Sequence, residues 1–420
     1  MEKNILKIGI IGLGTVGTGV VKALRQFKNI EIVECAVKNL NKKREVEVNK
    51  LTNDPMEIAS NPEIDVVVEV AGGVNPCLEV LKTAINNKKH IVTANKELLA
   101  KYGDELFELA NKNNVSILYE AAVAGGIPII GPVKTTLRGN EFKKVMGILN
   151  GTTNYILTKM ESDNLSYEEC LKQAQELGYA ETDPTNDVMG YDTMYKISIL
   201  ANIVFRKQID YSEIYVEGIT KITSEDIKCA DELGYKIKLL GLAQKIEENA
   251  SLDIRVHPVL VSKENTISKI DKATNTVYLE GYPVGEVMFT GPGAGEAPTA
   301  SSVIGDILAI ANEISLTDTI LPSQRVKTEE KAVQENILNT KNSYYMALSA
   351  KNIRGVIGVI GSICASNNIN LQSIIQRGIA KDNTAFIVVI TDTTLEADIQ
   401  NAIKELISKD IKVKNLIRVI

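Results

Sequence analysis

Histidine is scarce in this chain: His90 and His257 are the only two among 420 residues. Acid–base chemistry therefore falls to Lys, Asp, Glu or Tyr. Cysteine is sparse as well, with Cys35, Cys77, Cys170, Cys229 and Cys364 scattered and no CxxC. An odd, dispersed set excludes a disulfide framework and a zinc site, and fits buried thiols in a reducing cytoplasm. No apolar run is long enough to span a bilayer. The opening "MEKNILKIGIIG" lacks a secretory layout; its apolar residues alternate into a strand that meets a glycine turn. Nor is there a concentrated basic face: the formal net charge is -6, with basic residues spread throughout. That argues against nucleic acid and membrane surfaces as partners. What remains is ordinary for a soluble globular protein, 44% hydrophobic and 24% charged. The length exceeds one core and suits two or three domains.

The segment "ILKIGIIGLGTVGTGVVKALRQF" reads as strand, glycine turn and helix. Gly12, Gly14 and Gly17 spell GxGxxG, with Thr15 and Val16 inside the turn. The first glycine allows the tight turn, the second lets backbone approach a pyrophosphate, and the third lets helix pack on strand. The helix N-terminus offers free N–H groups to the phosphates. The next strand, "IEIVECAV", exits into "KNLNKKR". An acid at that exit suits the ribose 2′-hydroxyl of NAD. Here Glu34 falls mid-strand, while Lys38, Lys42, Lys43 and Arg44 suit a 2′-phosphate, so NADP is expected over NAD. The plain alternative is a solvated basic loop.

The strands "IDVVVEVAGG", "HIVTANKELL" and "VSILYEAAVAGGIPII", alternating with helical patterns, indicate a doubly wound parallel sheet. Ligands of such sheets bind at the carboxyl ends of strands, where Gly72–Gly73 and Thr93, Ala94, Asn95 and Lys96 fall. Lys96 is placed to reach a cofactor or an anionic substrate, although a lysine at a strand exit is more often only solvated. Glu120 closes a strand just before "AAVAGGIP". A carboxylate beside free carbonyls is hard-cation chemistry.

Beyond this block, Asn150, Gly151, Thr152, Thr153 and Asn154 make a small polar turn, read either as substrate-facing or as a helix start. Glu181, Asp183, Asp187 and Asp192 then lead into "GYDTMYKISILANIVF", a helix apolar almost all round that still carries Asp192 and Lys196 one turn apart. As a solvated pair the two would contribute only about 0.2–0.5 kcal/mol. The apolar residues around them leave little room for a solvated face. A buried lysine shifts its pKa readily and can move a proton. Beside a nicotinamide, with carboxylates to hold an ammonium group, this is the equipment of a carbonyl reductase for an amino-acid-like substrate.

The stretches "GLGTVGTGV", "TANKELLA", "YEAAVAGGIPII", "GILNGTTNYI", "LGYAETDPTNDVMGYDTMYK" and "GPGAGEAPTASSVIGD", in that order over roughly residues 5 to 320, resemble the homoserine dehydrogenases. The resemblance implies NAD(P)-dependent interconversion of L-aspartate 4-semialdehyde and L-homoserine. It implies Lys196 as proton donor and acceptor and Asp192 as the group orienting the substrate oxygen. Glu181 would take the substrate amino group with Asp187 close by, and Lys96 would lie between cofactor and substrate. Thr152 would join the substrate turn, Thr93 would contact the cofactor, and Gly178 and Gly295 would line the nicotinamide side. Glu120 with the carbonyls of Val123, Gly125 and Ile127 would form a monovalent cation site for Na+ or K+.

The expected fold is a Rossmann-type doubly wound parallel sheet over 1–135 with a return segment at 290–321, then an α+β catalytic and dimerisation domain over 136–290. A polar linker at 322–343 would lead to a βαββαβ tail at 344–420 that resembles an ACT domain, a module that binds amino acids. The usual turn Asp-x-Pro-Gly is Asn352-Ile353-Arg354-Gly355 here, keeping the glycine but not the Asp or the Pro; Asn352 and Gly355 are the candidate effector contacts, with L-threonine implied by the family, and the alternative is a tail that only dimerises. The assembly expected is a cytoplasmic homodimer or homotetramer, and without a kinase block the stand-alone enzyme. Two rivals remain. An aspartate-semialdehyde dehydrogenase needs an activated cysteine; Cys170 and Cys229 lie in helical patterns with no histidine near in sequence. A non-enzymatic nucleotide and amino-acid sensor leaves Lys196 and its carboxylates unexplained.

Overall fold

The computed structural model describes residues 5–247, 250–316, 330–379 and 382–420. The first block alternates strand and helix: β1 (Leu6–Ile11), α1 (Thr15–Leu24), β2 (Ile30–Ala36), β3 (Leu51–Thr52), α2 (Pro55–Ser60), β4 (Val66–Glu69), α3 (Cys77–Asn86), β5 (His90–Thr93), α4 (Lys96–Asn113), β6 (Ile117–Leu118) and α5 (Ile130–Lys134). The middle runs β7 (Glu141–Ile148), α6 (Gly151–Asp163), α7 (Tyr167–Glu176), α8 (Thr185–Val188), α9 (Tyr191–Phe205), β8 (Tyr215–Val216), α10 (Ser224–Glu232), β9 (Tyr235–Lys245), β10 (Leu252–Ser262), β11 (Thr274–Tyr282), β12 (Gly285–Pro292) and α11 (Glu296–Leu316). The tail holds β13 (Lys341–Lys351), α12 (Val356–Ser366), β14 (Leu371–Ile379), β15 (Thr384–Thr391), β16 (Thr394–Leu395), α13 (Glu396–Ser408) and β17 (Lys412–Val419).

These elements form two compact units, neither continuous in sequence. One comprises 1–149, 195–212 and 275–332; the other comprises 150–194, 213–274 and 333–420. In the first, six strands order as β3-β2-β1-β4-β5-β6, all parallel where paired. Parallel strands covered on both faces read as unbroken apolar runs, and "VVV" of β4 is wholly buried. α11 lies on α1, where Ala300, Val303, Ile307 and Ile310 join Val20, Val21 and Leu24 in one core. A methyl on Gly19 would stand 2.7 Å from the Glu296 carbonyl oxygen, so the glycine is what lets these helices touch. β12, β11 and β7 lie side by side in the same unit, with β11 and β7 antiparallel.

In the second unit β9, β10, β17, β13, β15 and β14 follow one another in a mixed sheet. β9 pairs with β10 along its whole length. The other edge of β10 is shared: β8 pairs at Arg255 and Val256, and β17, parallel, at Val259 and Leu260. The tail has the expected βαββαβ order with its own core, in which Tyr344, Met346 and Leu348 of β13 meet Ile360 and Cys364 of α12 and Ile399 and Leu406 of α13. Period-2 alternation sends Tyr345 to the opposite face, where its hydroxyl donates to Asp226 of α10 at 3.1 Å. Asp226 also accepts from the Asn415 amide at 3.0 Å, so the tail is bonded to the body of this unit. Of the polar stretch 322–343, residues 322–329 lie outside the described residues; Leu252 N–H donates to the Val333 carbonyl at 2.8 Å and β13 begins at Lys341. Among the described residues no helix is long and apolar enough to cross a membrane.

Candidate active site

The glycine turn between β1 and α1 treats its glycines unequally. Gly12 has φ +103, and a Cβ there would meet Ala71 backbone at 2.8 Å. A Cβ on Gly17 would lie 2.0 Å from the Gly12 carbonyl oxygen, so the third glycine is required for the turn to close. Around Gly14 nothing lies within 4 Å of a built Cβ. The protein itself has no steric need for glycine there; an approaching pyrophosphate does. Gly14 is the N-cap of α1 and no side chain caps it, which leaves first-turn N–H groups for phosphate oxygens. Thr15 is exposed and Val16 half-buried beside it. These residues fit a dinucleotide.

Glu34 is fully buried in β2 and paired with Lys50 at 2.7 Å, two residues before the strand ends. The exit itself carries Lys38, Lys42 and Lys43, all exposed. Arg44 turns back to donate to the Lys42 carbonyl at 2.7 Å, shaping the loop. At the ends of β4 and β5, Gly72 and Gly73 take φ +74 and +77, and Asn95 caps α4 by accepting the Leu98 N–H at 3.1 Å. Lys96 is the first residue of that helix.

In the loop after β6, Glu120 has a structural task. Its carboxylate accepts N–H bonds from Ile129 (2.6 Å), Ile130 (2.8 Å) and Gly131 (2.6 Å), anchoring the start of α5. Ala124 and Gly125 are both left-handed, at φ 57 and 52, and Ser302 donates to the Gly125 carbonyl at 2.7 Å. Asp306 accepts the Glu120 N–H at 2.8 Å, and burial pushes its carboxyl up to about 7. Among the described residues no three His, Cys, Asp or Glu converge on a point. Gly295 has φ +121 at the start of α11.

On α9 the two charges are buried, Asp192 at 5% and Lys196 at 8% exposure. Met194, Ile197, Leu200 and Ile203 bury the rest of the helix, as its composition requires. The Lys196 ammonium donates to the Leu149 carbonyl at 2.7 Å. The residue after it in the chain, Asn150, was read from the sequence as substrate-facing or as a helix start, and its contacts to the two carboxylates were not foreseen. Its amide nitrogen donates to Asp187 at 2.7 Å and to Asp192 at 2.8 Å, and its amide oxygen caps α6 through the Thr153 N–H at 2.8 Å. The signal available was an Asn before "GTTN", which serves equally as a cap and as a site residue. Thr152 donates to the Tyr179 carbonyl at 2.6 Å and so steadies the turn at Gly178, φ +77. Glu181 is exposed on that turn. Asp183 is occupied locally, accepting from the Thr185 hydroxyl at 2.6 Å and N–H at 3.1 Å. A cavity of about 370 Å³ beside α4, lined by Lys101, Tyr102, Phe107, Tyr119, Asn202 and Tyr211, contains none of these residues.

All five cysteines are buried. Burial raises every thiol, that of Cys35 and Cys77 to about 12 and of Cys170 and Cys364 to about 11. None is a thiolate near neutrality, which removes the nucleophile that the aspartate-semialdehyde dehydrogenase alternative needs. In the tail, Gly355 has φ +89 at the N-terminus of α12, with no side-chain cap. Asn352 lies beside it, its amide oxygen accepting from Gln376 at 3.3 Å.

Residues 12–120 match the family model described as "Homoserine dehydrogenase, NAD binding domain", 128–308 that described as "Homoserine dehydrogenase", and 344–408 that described as "ACT domain". The homoserine dehydrogenase of Neisseria gonorrhoeae is 40% identical over 412 residues, covering 95% of this chain and 94% of its own. The crystal structure of a homoserine dehydrogenase from Thiobacillus denitrificans superposes with a TM-score of 0.92 at 36% identity, over 99% of this chain and 98% of that one. A hyperthermophilic archaeal homoserine dehydrogenase in complex with NADPH matches 75% of this chain and 99% of its own, with a TM-score of 0.63 at 26% identity.

Proposed function

Since the chain belongs to the homoserine dehydrogenase family, a nicotinamide-dependent oxidoreductase acting on a CH–OH group, we propose that Lys196 is the residue that moves the proton. The reaction interconverts L-aspartate 4-semialdehyde and L-homoserine. Reduced nicotinamide, when bound, supplies the hydride to the aldehyde carbon. Lys196 gives a proton to the carbonyl oxygen as the carbon–oxygen double bond opens, and takes it back from the hydroxyl in the reverse direction. Asp192 orients that oxygen, Glu181 and Asp187 take the substrate ammonium, Thr152 holds the facing turn, and Lys96 stands between cofactor and substrate. One observation carries this reading: a buried lysine anchored on the Leu149 carbonyl, one helical turn from an aspartate that Asn150 holds.

NADP is the preferred cofactor. In support, the acid of β2 is buried in an ion pair with Lys50, whereas Lys38, Lys42 and Lys43 stand exposed at the exit, and an archaeal relative binds NADPH. Gly12, Gly14, Thr15, Val16, Gly17 and Thr93 form the rest of the dinucleotide site, with Gly178 and Gly295 toward the nicotinamide. A monovalent cation, Na+ or K+, is held by the carbonyls of the Val123–Ile127 loop, with the Glu120 carboxylate as the loop's anchor. The tail takes L-threonine at Asn352 and Gly355. The enzyme works in the cytoplasm as a homodimer or homotetramer.

The test is NADPH oxidation with L-aspartate 4-semialdehyde by wild type and Lys196→Ala, with cofactor affinity measured in both. The variant is expected to bind NADPH normally and react at least ~100-fold more slowly. Equal rates would remove Lys196 from the mechanism. A wild type that binds NADPH but never oxidises it would favour the sensor.

A further inference from the structure

Glu69 ends β4 at the mouth of the parallel sheet and is wholly buried. A carboxylate out of water is costly unless its oxygens are fully hydrogen-bonded. Glu69 meets that condition with donors from two different loops. One oxygen accepts the N–H groups of Ala71 and Gly72, both at 3.0 Å, and the Cys77 thiol at 3.6 Å. The other accepts the Thr93 hydroxyl, at the end of β5, at 2.6 Å. The Thr93 oxygen in turn accepts the Asn95 N–H at 3.1 Å. Asn95 closes the circuit, its amide nitrogen donating back to the Gly73 carbonyl at 2.6 Å while its oxygen caps α4.

The circuit has two outputs. Through Ala71 it fixes the wall against which the Gly12 turn sits, since a Cβ on Gly12 would stand 2.8 Å from Ala71. Through Thr93 and Asn95 it fixes the first residue of α4, which is Lys96. Ligands of doubly wound sheets bind just beyond these strand ends. We infer that Glu69, relayed by Thr93 and Asn95, is a positioning residue that holds the 71–73 turn and Lys96 in register with the phosphate turn, and so sets the affinity and pose of the dinucleotide. The inference rests on the dinucleotide and Lys96 assignments proposed above.

Charge is not what the circuit needs; acceptors in the right places are. A glutamine at 69 can still accept from Ala71 and Gly72 and can donate to the Thr93 oxygen. A leucine can do neither. The experiment measures NADPH affinity, the KM of each substrate and the thermal midpoint for wild type, Glu69→Gln, Glu69→Leu and Thr93→Val. Glu69→Gln should stay within about threefold of wild type in KM for NADPH. Glu69→Leu and Thr93→Val should raise it at least about tenfold, with KM for L-aspartate 4-semialdehyde at saturating NADPH moving less than about threefold. If Glu69→Leu does not fold, Asn95→Asp, which keeps the α4 cap but loses the donor to the Gly73 carbonyl, decides in its place, because Thr93 is itself a proposed cofactor contact; the same rise in KM for NADPH is expected. Folded variants with an unchanged KM for NADPH, or with both KM values unmoved and only the amount of active enzyme reduced, would overturn the inference. A wild type that fails to bind NADPH would instead overturn the dinucleotide reading beneath it.

Discussion

The side chain of Asn150 divides its hydrogen bonds by sign. Its nitrogen serves the two carboxylates, and its oxygen caps a helix. Asn150→Asp keeps the cap, because Asp is as good an N-cap as Asn, but puts a third carboxylate against Asp187 and Asp192. Turnover of L-homoserine at pH 7 should fall at least ~100-fold in this variant and less in Asn150→Ala, which loses the cap at a cost of about 1 kcal/mol but adds no repulsion. Steady-state kinetics beside urea unfolding separates the two effects; equal losses in both variants would mean the amide acts only through the fold. At this scale the sequence was readable where a residue type was out of place. A lysine in an apolar helix announces itself, and so does the run of acids before it. Glu69 sent the same signal, one acid inside "VVVEVAGG", yet its partners lie two and three residues on at Ala71 and Gly72 and 24 residues on at Thr93. Only the folded strand order brings them to one carboxylate.

The strand, turn and helix around GxGxxG was legible as an element, because the three glycines serve needs that local chemistry defines. Those needs can be told apart. Gly14→Ala puts its methyl into open space. It should leave the thermal midpoint within about 2 °C and still raise the NADPH dissociation constant at least about tenfold. Gly17→Ala forces a methyl against the Gly12 carbonyl and should cost roughly 1–3 kcal/mol of stability. Calorimetry with fluorescence titration checks both; normal NADPH binding by Gly14→Ala would contradict the phosphate-turn assignment. The loop after β6 was not legible in this way. Its sequence shows a carboxylate before a glycine-rich turn, which suits a cation ligand or a helix anchor. The helix anchor became visible only through the chain's return at Ile129–Gly131, where three N–H groups meet one side chain.

Across the whole molecule, both histidines lie where a proton is unwelcome. Burial holds His257 well below the usual imidazole range, and the Arg418 and Arg255 guanidiniums push it the same way. His90 is lowered by burial, with Asp65 opposing. The unfolded chain takes up these protons below about pH 6.5 and the folded chain binds them less readily, so stability is lost as pH falls through that value. His257, the more strongly lowered of the two, contributes up to about 1.4 kcal/mol per pH unit of the decline, and His90 adds in the same direction. Urea unfolding at pH 7.5, 6.5 and 5.5 should show this loss, and His257→Gln should flatten it; an unchanged slope would mean that His257 is protonated in the folded state. What the sequence could not declare at this scale is pairing over long separations, and β17 on β10 is the clearest case. Arg418 of β17 is buried with a bidentate bond to Glu396 at 2.8 and 2.9 Å, and lies over the Tyr215 ring of β8 at 4.9 Å. Two archaeal homoserine dehydrogenases match about three-quarters of this chain over 99% of their own, and deletion of the tail is the obvious experiment on its role. In this chain such a deletion would strip β10 of a neighbour and leave backbone donors and acceptors open to aggregation. A change in activity after truncation would then report a damaged sheet edge as much as a lost effector. Substitutions at Asn352, with the strands left intact, are the sounder way to ask whether the tail governs the enzyme or only completes its architecture.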